Sequence, residues 1–358
     1  MRITQVETIQ IETPRYYGYV SGHLIVKIHT DAGITGLGEA SDSKAKDVPA
    51  VARQYNELLK GRDATAITEI NETLRRHRFG SSVSDKHLVS AIDIGLYDLN
   101  GKAAGVPAHR LLGGRTRERM YCCYPIFGWQ VRDDFELAAG YLQRLVDLGH
   151  HLFRFYVSGE SELDDRFLTE MKARFGDKIK LKSLDFSQRF KEWEPAVRYA
   201  GALRHHEPYH FEGPSHDLRV CAEFTKRVDL PVSLHTHSFE RALETVERGA
   251  GTVFNLACIT NGPTYLRRLF AFAEAAGIKC LIGTDQESTL GIAAQLLVGC
   301  TVPNLDLPCD PMGPVLYTTS PAKERVRAEG SYLYPPEGPG LGVELDEEKL
   351  AELTVERA

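Results

Sequence analysis

The chain has 358 residues, of which 42% are hydrophobic and 26% charged, a balance typical of a folded globular protein. This composition excludes a disordered or collagen-like chain, and no window approaches about 18 consecutive apolar residues, so we expect no membrane span. The 43 basic and 49 acidic residues are unclustered and give a net charge of −6, which disfavours a nucleic-acid partner. The seven cysteines lack metal-knuckle spacing and predict reduced thiols in a cytoplasmic protein. The length suits a barrel of about 250 residues with one smaller domain.

The N-terminal region predicts a small antiparallel sheet followed by helices. Residues 1–12 alternate between polar and apolar side chains, 23–29 form a short apolar run, and 34–40 follow a glycine turn. This alternating start lacks the apolar core of a signal peptide. Residues 48–79 and 86–104 then show helical spacing of their apolar side chains.

From about residue 120 to 320, short apolar runs alternate with amphipathic stretches. The runs lie at 121–127, 152–157, 179–184, 210–212, 232–235, 253–259 and 279–282. The helical stretches lie at 134–148, 161–175, 191–204, 217–227, 239–248, 264–276 and 288–299. About seven strand–helix units of this kind predict a parallel α/β sheet that closes, or nearly closes, into a barrel. The chain after Cys300 gives no clear eighth run, and the tail from Ser331 is expected to return to the first domain.

Polar residues stand where these runs end, which is where a parallel barrel places its active site. Asp185, Glu212 and His235 each end a run, and His237 shares a strand face with His235. Two carboxylates and an imidazole there could bind one divalent cation. Taken singly, such residues are more often structural, and Asp185 could instead cap the helix at 191–204. The two histidines are more informative, because two inward imidazoles at a strand end contribute little to packing.

Further candidates flank these residues. Arg154 and Tyr156 share one face of the second run, and Asp285 and Glu287 follow the last one. Asp285 and Glu287 could act as an acid, as substrate contacts or as helix caps.

Three segments resemble signatures of the enolase superfamily, in its mandelate racemase and muconate lactonizing branches. They are AGITGLGEA at 32–40, SAIDIGLYDLNGKAAGVPAHRLLGG at 90–114 and PEGPGLGVELDEEKL at 336–350. The resemblance implies an α+β capping domain (1–115) over a modified (β/α)7β TIM barrel (116–330), with residues 331–358 returning to the cap. It also implies a homo-oligomer and an enzyme, a lyase or isomerase. Its base would remove the proton α to a carboxylate of a small acid, and a divalent metal would stabilise the enediolate.

The resemblance implies three metal ligands, one of which differs from the family's usual residue. Asp185 matches the ligand after the third strand, and Glu212 matches the ligand of an F-x-E-x-P segment. At the third position His235 replaces the usual carboxylate, and His237 is the alternative ligand. The implied metal is Mg²⁺, with Mn²⁺ or another transition metal open because of the imidazole.

The residues at the positions of the family's catalytic bases differ more strongly from the family pattern. Arg154 and Tyr156 fill the places of the family's Lys-x-Lys pair, and Ala257 stands where the sixth-strand lysine is expected. Tyr156 is then the best-placed base, provided that a metal and Arg154 lower its pKa from about 10; alternatively it only hydrogen-bonds the substrate. His237 is the competing base, since its ordinary pKa is about 6.5. We expect Arg154 to bind the substrate carboxylate.

These departures favour a hydroxy-acid dehydratase of the sugar-acid type, because racemisation needs proton groups on both faces of the α-carbon. The open alternatives are a racemase or epimerase, a cycloisomerase, and a divergent barrel that binds a small acid without turnover. The implied cap loop brings Tyr16, Tyr17 and Tyr19 over the site, and Glu287 matches a G-x-x-x-E-S ending. Tyr16, Tyr19 and Glu287 are therefore predicted substrate contacts, although the tyrosines could simply pack on the cap.

Overall fold

The computed structural model describes most of the chain. The described residues are 1–16, 19–41, 48–77, 79, 82–312 and 315–357, with the backbone alone at 82–85. Tyr17, a predicted member of the substrate loop, lies outside them.

The strands and helices have the following bounds. The strands are β1 (Ile3–Pro14), β2 (Val20–Thr30), β3 (Thr35–Ser41), β4 (Met120–Tyr121), β5 (Tyr124–Phe127), β6 (Leu152–Tyr156), β7 (Lys180–Asp185), β8 (His210–Glu212), β9 (Val232–His235), β10 (Val253–Leu256), β11 (Lys279–Ile282), β12 (Ala328–Glu329), β13 (Tyr332–Leu333) and β14 (Thr354–Arg357). The α-helices are α1 (Val48–Leu59), α2 (Ile67–Arg76), α3 (Ser82–Ala104), α4 (Gly128–Asp133), α5 (Phe135–Asp147), α6 (Ser161–Phe175), α7 (Trp193–Leu203), α8 (Leu218–Thr225), α9 (Phe239–Arg248), α10 (Cys258–Ala276), α11 (Thr289–Gly299) and α12 (Glu347–Leu353).

The N-terminal sheet is the expected antiparallel meander, and the C-terminal strand joins it. The strand order is β14-β1-β2-β3, so the tail returns to the first sheet. Helix α3 lies directly on β3, and this contact requires glycine. A Cβ at Gly36 would stand 2.2 Å from the carbonyl oxygen of Gly95, and one at Gly38 would stand 1.8 Å from that of Ala91. The domain boundaries at 115/116 and 330/331 stay a prediction.

The second half of the chain forms the expected parallel barrel. Strands β5 to β11 are hydrogen-bonded in chain order. The segment at Cys309 closes the ring, because it pairs in parallel with Cys122 while the Asp310 N–H donates to the Ile282 carbonyl in β11 at 2.8 Å. This segment is the eighth barrel element that the sequence left without a clear signal.

Two helical regions differ from the sequence prediction. The region at 48–79 is two helices, because Gly61 and Arg62 hydrogen-bond the main chain of Ile3 in β1 and break the helix. Helix α10 begins before Pro263, at Cys258, with a kink at Gly262 (φ 71°, ψ 157°).

Among the described residues, the buried apolar side chains form one cluster in the cap, one in the barrel and one that contains residues of both. All seven cysteines are free and buried. Within the described residues no helix has the length and apolar character needed to cross a membrane.

Candidate active site

The carboxyl ends of β6, β7 and β8 bring three predicted site residues together. Tyr156 pairs in register with Asp185, and Asp185 pairs in register with Glu212. Asp185 and Glu212 are buried, and the Asp185 carboxylate accepts from the Ser187 N–H at 2.7 Å. Asp185 therefore holds its own loop and does not cap α7, whose N-cap is Glu192.

Arg154 is the central cation of this site. Its side chain is buried, and Nη1 lies 3.3 Å from Glu212 Oε1, 3.2 Å from Asp310 Oδ2 and 3.9 Å from Asp185 Oδ2. Nη2 donates to the Tyr156 hydroxyl. The guanidinium thus links the three carboxylates to the tyrosine; the sequence predicted its proximity to Tyr156 and a contact with the substrate carboxylate, but not the three carboxylate contacts.

A second buried cation, Lys182, was missed by the sequence prediction. Alternation along β7 puts Lys182 on the face opposite Ser183, but the pairing with β6 slips by one residue there. The resulting β-bulge re-aims the side chain. Lys182 Nζ donates to Asp310 Oδ1 and lies 3.8 Å from Glu212 Oε2. Asp310 was missed as well, because the closing segment lacks a strand-like pattern.

Both carboxylate oxygens of Glu212 accept hydrogen bonds within the site. Oε1 accepts from Asn255 Nδ2 at 2.9 Å, and Oε2 accepts from the Ser183 hydroxyl at 3.3 Å. Burial by itself would raise the pKa of Glu212, but the charges of Arg154 and Lys182 hold it well below its ordinary value. Glu212 is therefore a permanent anion.

Asp185 has the opposite electrostatic environment. Burial, together with the negative charge of Glu212, raises the pKa of Asp185 to about 8. Arg154 lies farther from Asp185 than from Glu212 and compensates it less. The edge of the site at Asp185 thus has less compensating positive charge than the edge at Glu212.

That edge fits the chemistry of a divalent cation, since two carboxylates and one imidazole are ordinary ligands. His235 Nε2 lies 3.5 Å from Glu212 Oε1. The three donors do not form a closed set, so a side chain must move inward for all three to bind one ion. In the described part of the chain, only the donors of Asp165, His205 and His206 lie mutually within 4.8 Å. Those three are at the amino ends of the strands, away from this site.

The protein groups around Tyr156 do not by themselves lower its pKa. Burial raises the pKa of Tyr156 well above 10, and the charges of Asp185, Glu212 and Asp310 raise it further, against the opposing effect of Arg154. The sequence prediction considered a metal ion and the guanidinium, but not the three anions around the phenol. Tyr156 is thus a phenol, and its hydroxyl accepts from Arg154.

His237 also differs from expectation, because burial and the charge of Lys86 lower its pKa to about 3. The imidazole is therefore neutral. The Thr260 hydroxyl lies 3.2 Å from His237 Nδ1 and also contacts the Ala257 carbonyl and Asn261 Oδ1. A neutral imidazole has one unprotonated ring nitrogen, so His237 can accept a proton.

A cavity of about 560 Å³ opens at the mouth of the barrel, above His235. His235, His237 and Asp285 line it, as does Lys86 of α3, which the sequence analysis did not single out. A lysine near the start of a helix has no motif that could have signalled this position.

The three predicted substrate contacts do not line this cavity. Glu287 is buried and accepts from the Thr284 hydroxyl at 2.8 Å and the Asp285 N–H at 3.1 Å, and burial raises its pKa to about 8. These bonds favour a structural role in the loop after β11. Tyr16 and Tyr19 are exposed, and the Tyr16 ring stacks on Arg144 with Cζ 3.8 Å from the centroid. Their contact with substrate stays a prediction.

Comparison with known proteins gives the class of this fold and site. Residues 136–349 match the family Enolase C-terminal domain-like, and residues 19–113 match Mandelate racemase / muconate lactonizing enzyme, N-terminal domain. A solved structure of muconate cycloisomerase from Pseudomonas fluorescens superposes with a TM-score of 0.88 at 26% identity, over 99% of each chain.

The chain therefore belongs to the mandelate racemase and muconate lactonizing branch of the enolase superfamily. Its curated relatives include the chloromuconate cycloisomerase of Pseudomonas putida, 26% identical over 93% of this chain and 91% of that protein. The D-galactonate dehydratase of Variovorax paradoxus is 28% identical over 98% and 94%, and the N-succinyl-L-Arg/Lys racemase of Bacillus cereus is 24% identical over 99% and 98%. The chain is thus an enzyme of the proton-abstraction class, whose members use a divalent metal ion, typically Mg²⁺.

Proposed function

We propose that this enzyme is a hydroxy-acid dehydratase that acts on a small acid of the sugar-acid type. The observation that supports it most is the presence of one proton acceptor and one proton donor of different kinds. The neutral His237 imidazole can accept a proton, and the Tyr156 hydroxyl is a donor held by Arg154. Such a pair suits the elimination of water, because one proton leaves the α-carbon and another must reach the departing hydroxyl.

In the proposed reaction His237 takes the proton from the α-carbon. The carbon–oxygen bond at the β-carbon then breaks, and the oxygen leaves as water with a proton from Tyr156. The enol that remains becomes a 2-keto acid. Of the two candidate bases we assign the role to His237, because Tyr156 is a phenol and burial raises its pKa.

Arg154 supplies fixed positive charge next to Tyr156 and the carboxylates. The guanidinium stabilises the negative charge that develops on the substrate when the α-proton leaves. It also keeps its hydrogen bond to the Tyr156 oxygen, which orients the phenol and stabilises the phenolate after proton transfer.

Asp185, Glu212 and His235 are proposed to hold a divalent metal, Mg²⁺ first, with Mn²⁺ or another transition metal as alternatives because of the imidazole. When bound, this ion supplies positive charge beside the substrate carboxylate. The lower compensating charge at Asp185 supports the placement.

The reaction is tested with a panel of hydroxy acids in D₂O, with the enzyme stripped by chelator and reloaded with Mg²⁺ or Mn²⁺. We expect 2-keto acid formation that depends on the added metal. Exchange of deuterium at the α-carbon without any 2-keto acid would contradict the dehydratase assignment and favour a racemase or epimerase.

Two variants distinguish the proposed proton donor, Tyr156, from the proposed base, His237. Tyr156→Phe is expected to lower water loss by about 100-fold or more while α-deuterium exchange persists, because the base remains. His237→Gln is expected to abolish both. Tyr209→Phe, a partly exposed tyrosine outside the cavity, is the matched control. Loss of both activities in Tyr156→Phe alone would make Tyr156 the base.

A cycloisomerase is the second candidate, and the similarity to cycloisomerases in both sequence and structure favours it. It would rearrange an unsaturated acid without releasing water, so the same assay distinguishes it. A homo-oligomer and a cytoplasmic location remain predictions.

A further inference from the structure

The cavity at the barrel mouth contains more positive than negative charge. Lys86 and Arg241 are its two permanently charged cations, and Asp285 is its one carboxylate among the described lining residues. The remaining charged candidates are imidazoles. His237 lines the cavity, whereas Tyr156, Asp185 and Glu212 do not, so this charge lies outside the buried part of the site.

Lys86 reaches this cavity from the cap. It belongs to α3, whereas the other lining residues belong to the barrel domain. Its side chain is partly buried, and burial lowers the pKa of its amine while the charge of Asp285 opposes that shift. Within the part of the chain that the structure describes, no hydrogen bond or ion pair at contact distance is assigned to this amine.

Arg241 also lines the cavity, from the first turn of α9. Its Nη2 donates to the His216 carbonyl at 3.1 Å, which uses one of its five N–H groups. Ser238 caps α9 and also lines the cavity, so the positive end of the helix dipole adds to the same field.

We propose that Lys86 and Arg241 bind a second anionic group at the far end of the substrate. This rests on the proposed function, and it narrows the substrate class to hydroxy acids with a terminal carboxylate or phosphate. A partly buried ammonium is stabilised by an anion that replaces its lost hydration. The volume of about 560 Å³ is in the range of small-molecule sites and suits an acid of about six carbons.

The test uses three acids that differ at the end distant from the reacting carboxylate. They are D-gluconate with a neutral terminus, D-glucarate with a carboxylate and 6-phospho-D-gluconate with a phosphate. Binding to the metal-loaded enzyme is measured by calorimetry for the wild type, for Lys86→Met, and for Lys60→Met as an exposed lysine control in the cap.

We expect the wild type and Lys60→Met to bind at least one of the two dianions about 10- to 100-fold more tightly than gluconate, as charge-assisted hydrogen bonds allow. Lys86→Met should lose most of that preference and leave gluconate affinity unchanged within about twofold. Whichever dianion shows the larger loss identifies the terminal group.

Equal affinity for all three acids in the wild type, no binding of either dianion, or an unchanged preference in Lys86→Met would overturn the inference. These outcomes are independent of turnover. If the dianions bind through Lys86 but yield neither 2-keto acid nor α-deuterium exchange, the anion site stands and the dehydratase proposal fails.

Discussion

Buried carboxylates serve two different purposes in the cap and in the barrel. In the cap, Asp98 accepts from the main-chain N–H groups of Leu37 and Leu341, each at 2.7 Å. Glu39 similarly accepts from the N–H groups of Ser288 and Gly291, each at 2.7 Å. Their main-chain partners are fixed donors, so these carboxylates hold segments that are distant in sequence.

The barrel carboxylates face two fully buried side-chain cations, whereas in the cap Lys102, which donates to Asp98 Oδ2 at 2.6 Å, is partly exposed. Glu212 and Asp310 face Arg154 and Lys182, and Asp185 is left with less compensation. Charged side chains can change position when a substrate or an ion binds, whereas main-chain N–H groups are held in place by the fold. Buried charge in the cap is therefore structural, and that in the barrel is available for chemistry.

The hydrogen bonds of Asp98 also show what the three segments that resemble the enolase superfamily do in the structure. Asp98 lies in the segment 90–114, Leu37 in 32–40 and Leu341 in 336–350, so one carboxylate joins all three. The segments that carry the resemblance thus preserve the assembly of the cap. This is why they identify the family and give no information about the substrate.

The largest effect is expected when the barrel charges are left unbalanced. Arg154→Met should lower kcat/KM by about 1000-fold or more and the free energy of unfolding by about 3–5 kcal/mol, because it leaves buried anions facing each other. Both are measured, by 2-keto acid formation and by urea unfolding, with exposed Arg248→Met as the control. An active and stable Arg154→Met would show that Lys182 alone balances the site.

A cap carboxylate should affect stability alone. Asp98→Ala is expected to lower the free energy of unfolding by about 2–4 kcal/mol, because it leaves two buried N–H groups without acceptors. The activity of the molecules that remain folded should be unchanged, and exposed Asp147→Ala serves as the control. A large loss of kcat/KM at full folding would contradict the structural assignment.

The smallest expected effect is a pH dependence at the contact of α3 with α10. Burial raises the pKa of Asp93 to about 6, even though Asp93 accepts from the Thr264 N–H at 2.8 Å. Since the folded state holds this proton more tightly than the unfolded chain, the contribution of Asp93 to stability falls as pH rises from about 4 to about 6.

The measurement compares wild-type and Asp93→Asn free energies of unfolding between pH 4 and pH 7. The wild type should lose about 1–3 kcal/mol relative to the variant across this interval. Asp133→Asn, at an exposed position, should show no such trend. A wild type that gains stability relative to Asp93→Asn as pH rises would contradict the sign of the pKa shift.

Much of the fold and part of the site follow from local pattern. Residues 161–175 and 239–248 are helices with the predicted bounds, since their apolar spacing and their ends are local properties. The predicted runs also place Asp185 and Glu212 at neighbouring strand ends, where the structure pairs them. The region 48–79 was predicted as one helical region because the contact of Gly61 and Arg62 with β1 is not visible in local spacing.

The sequence by itself determined the family, the order of strands and helices and the loss of the lysine bases, because each depends on residue type and spacing along the chain. Only the tertiary structure decided the charge balance. A β-bulge in β7 points Lys182 to the face that strand alternation would not predict. Closure of the barrel brings Asp310 to Arg154, and the packing of the cap on the barrel brings Lys86 to the cavity at the barrel mouth. Each is a contact between segments far apart in the chain, and local periodicity contains no information about such contacts.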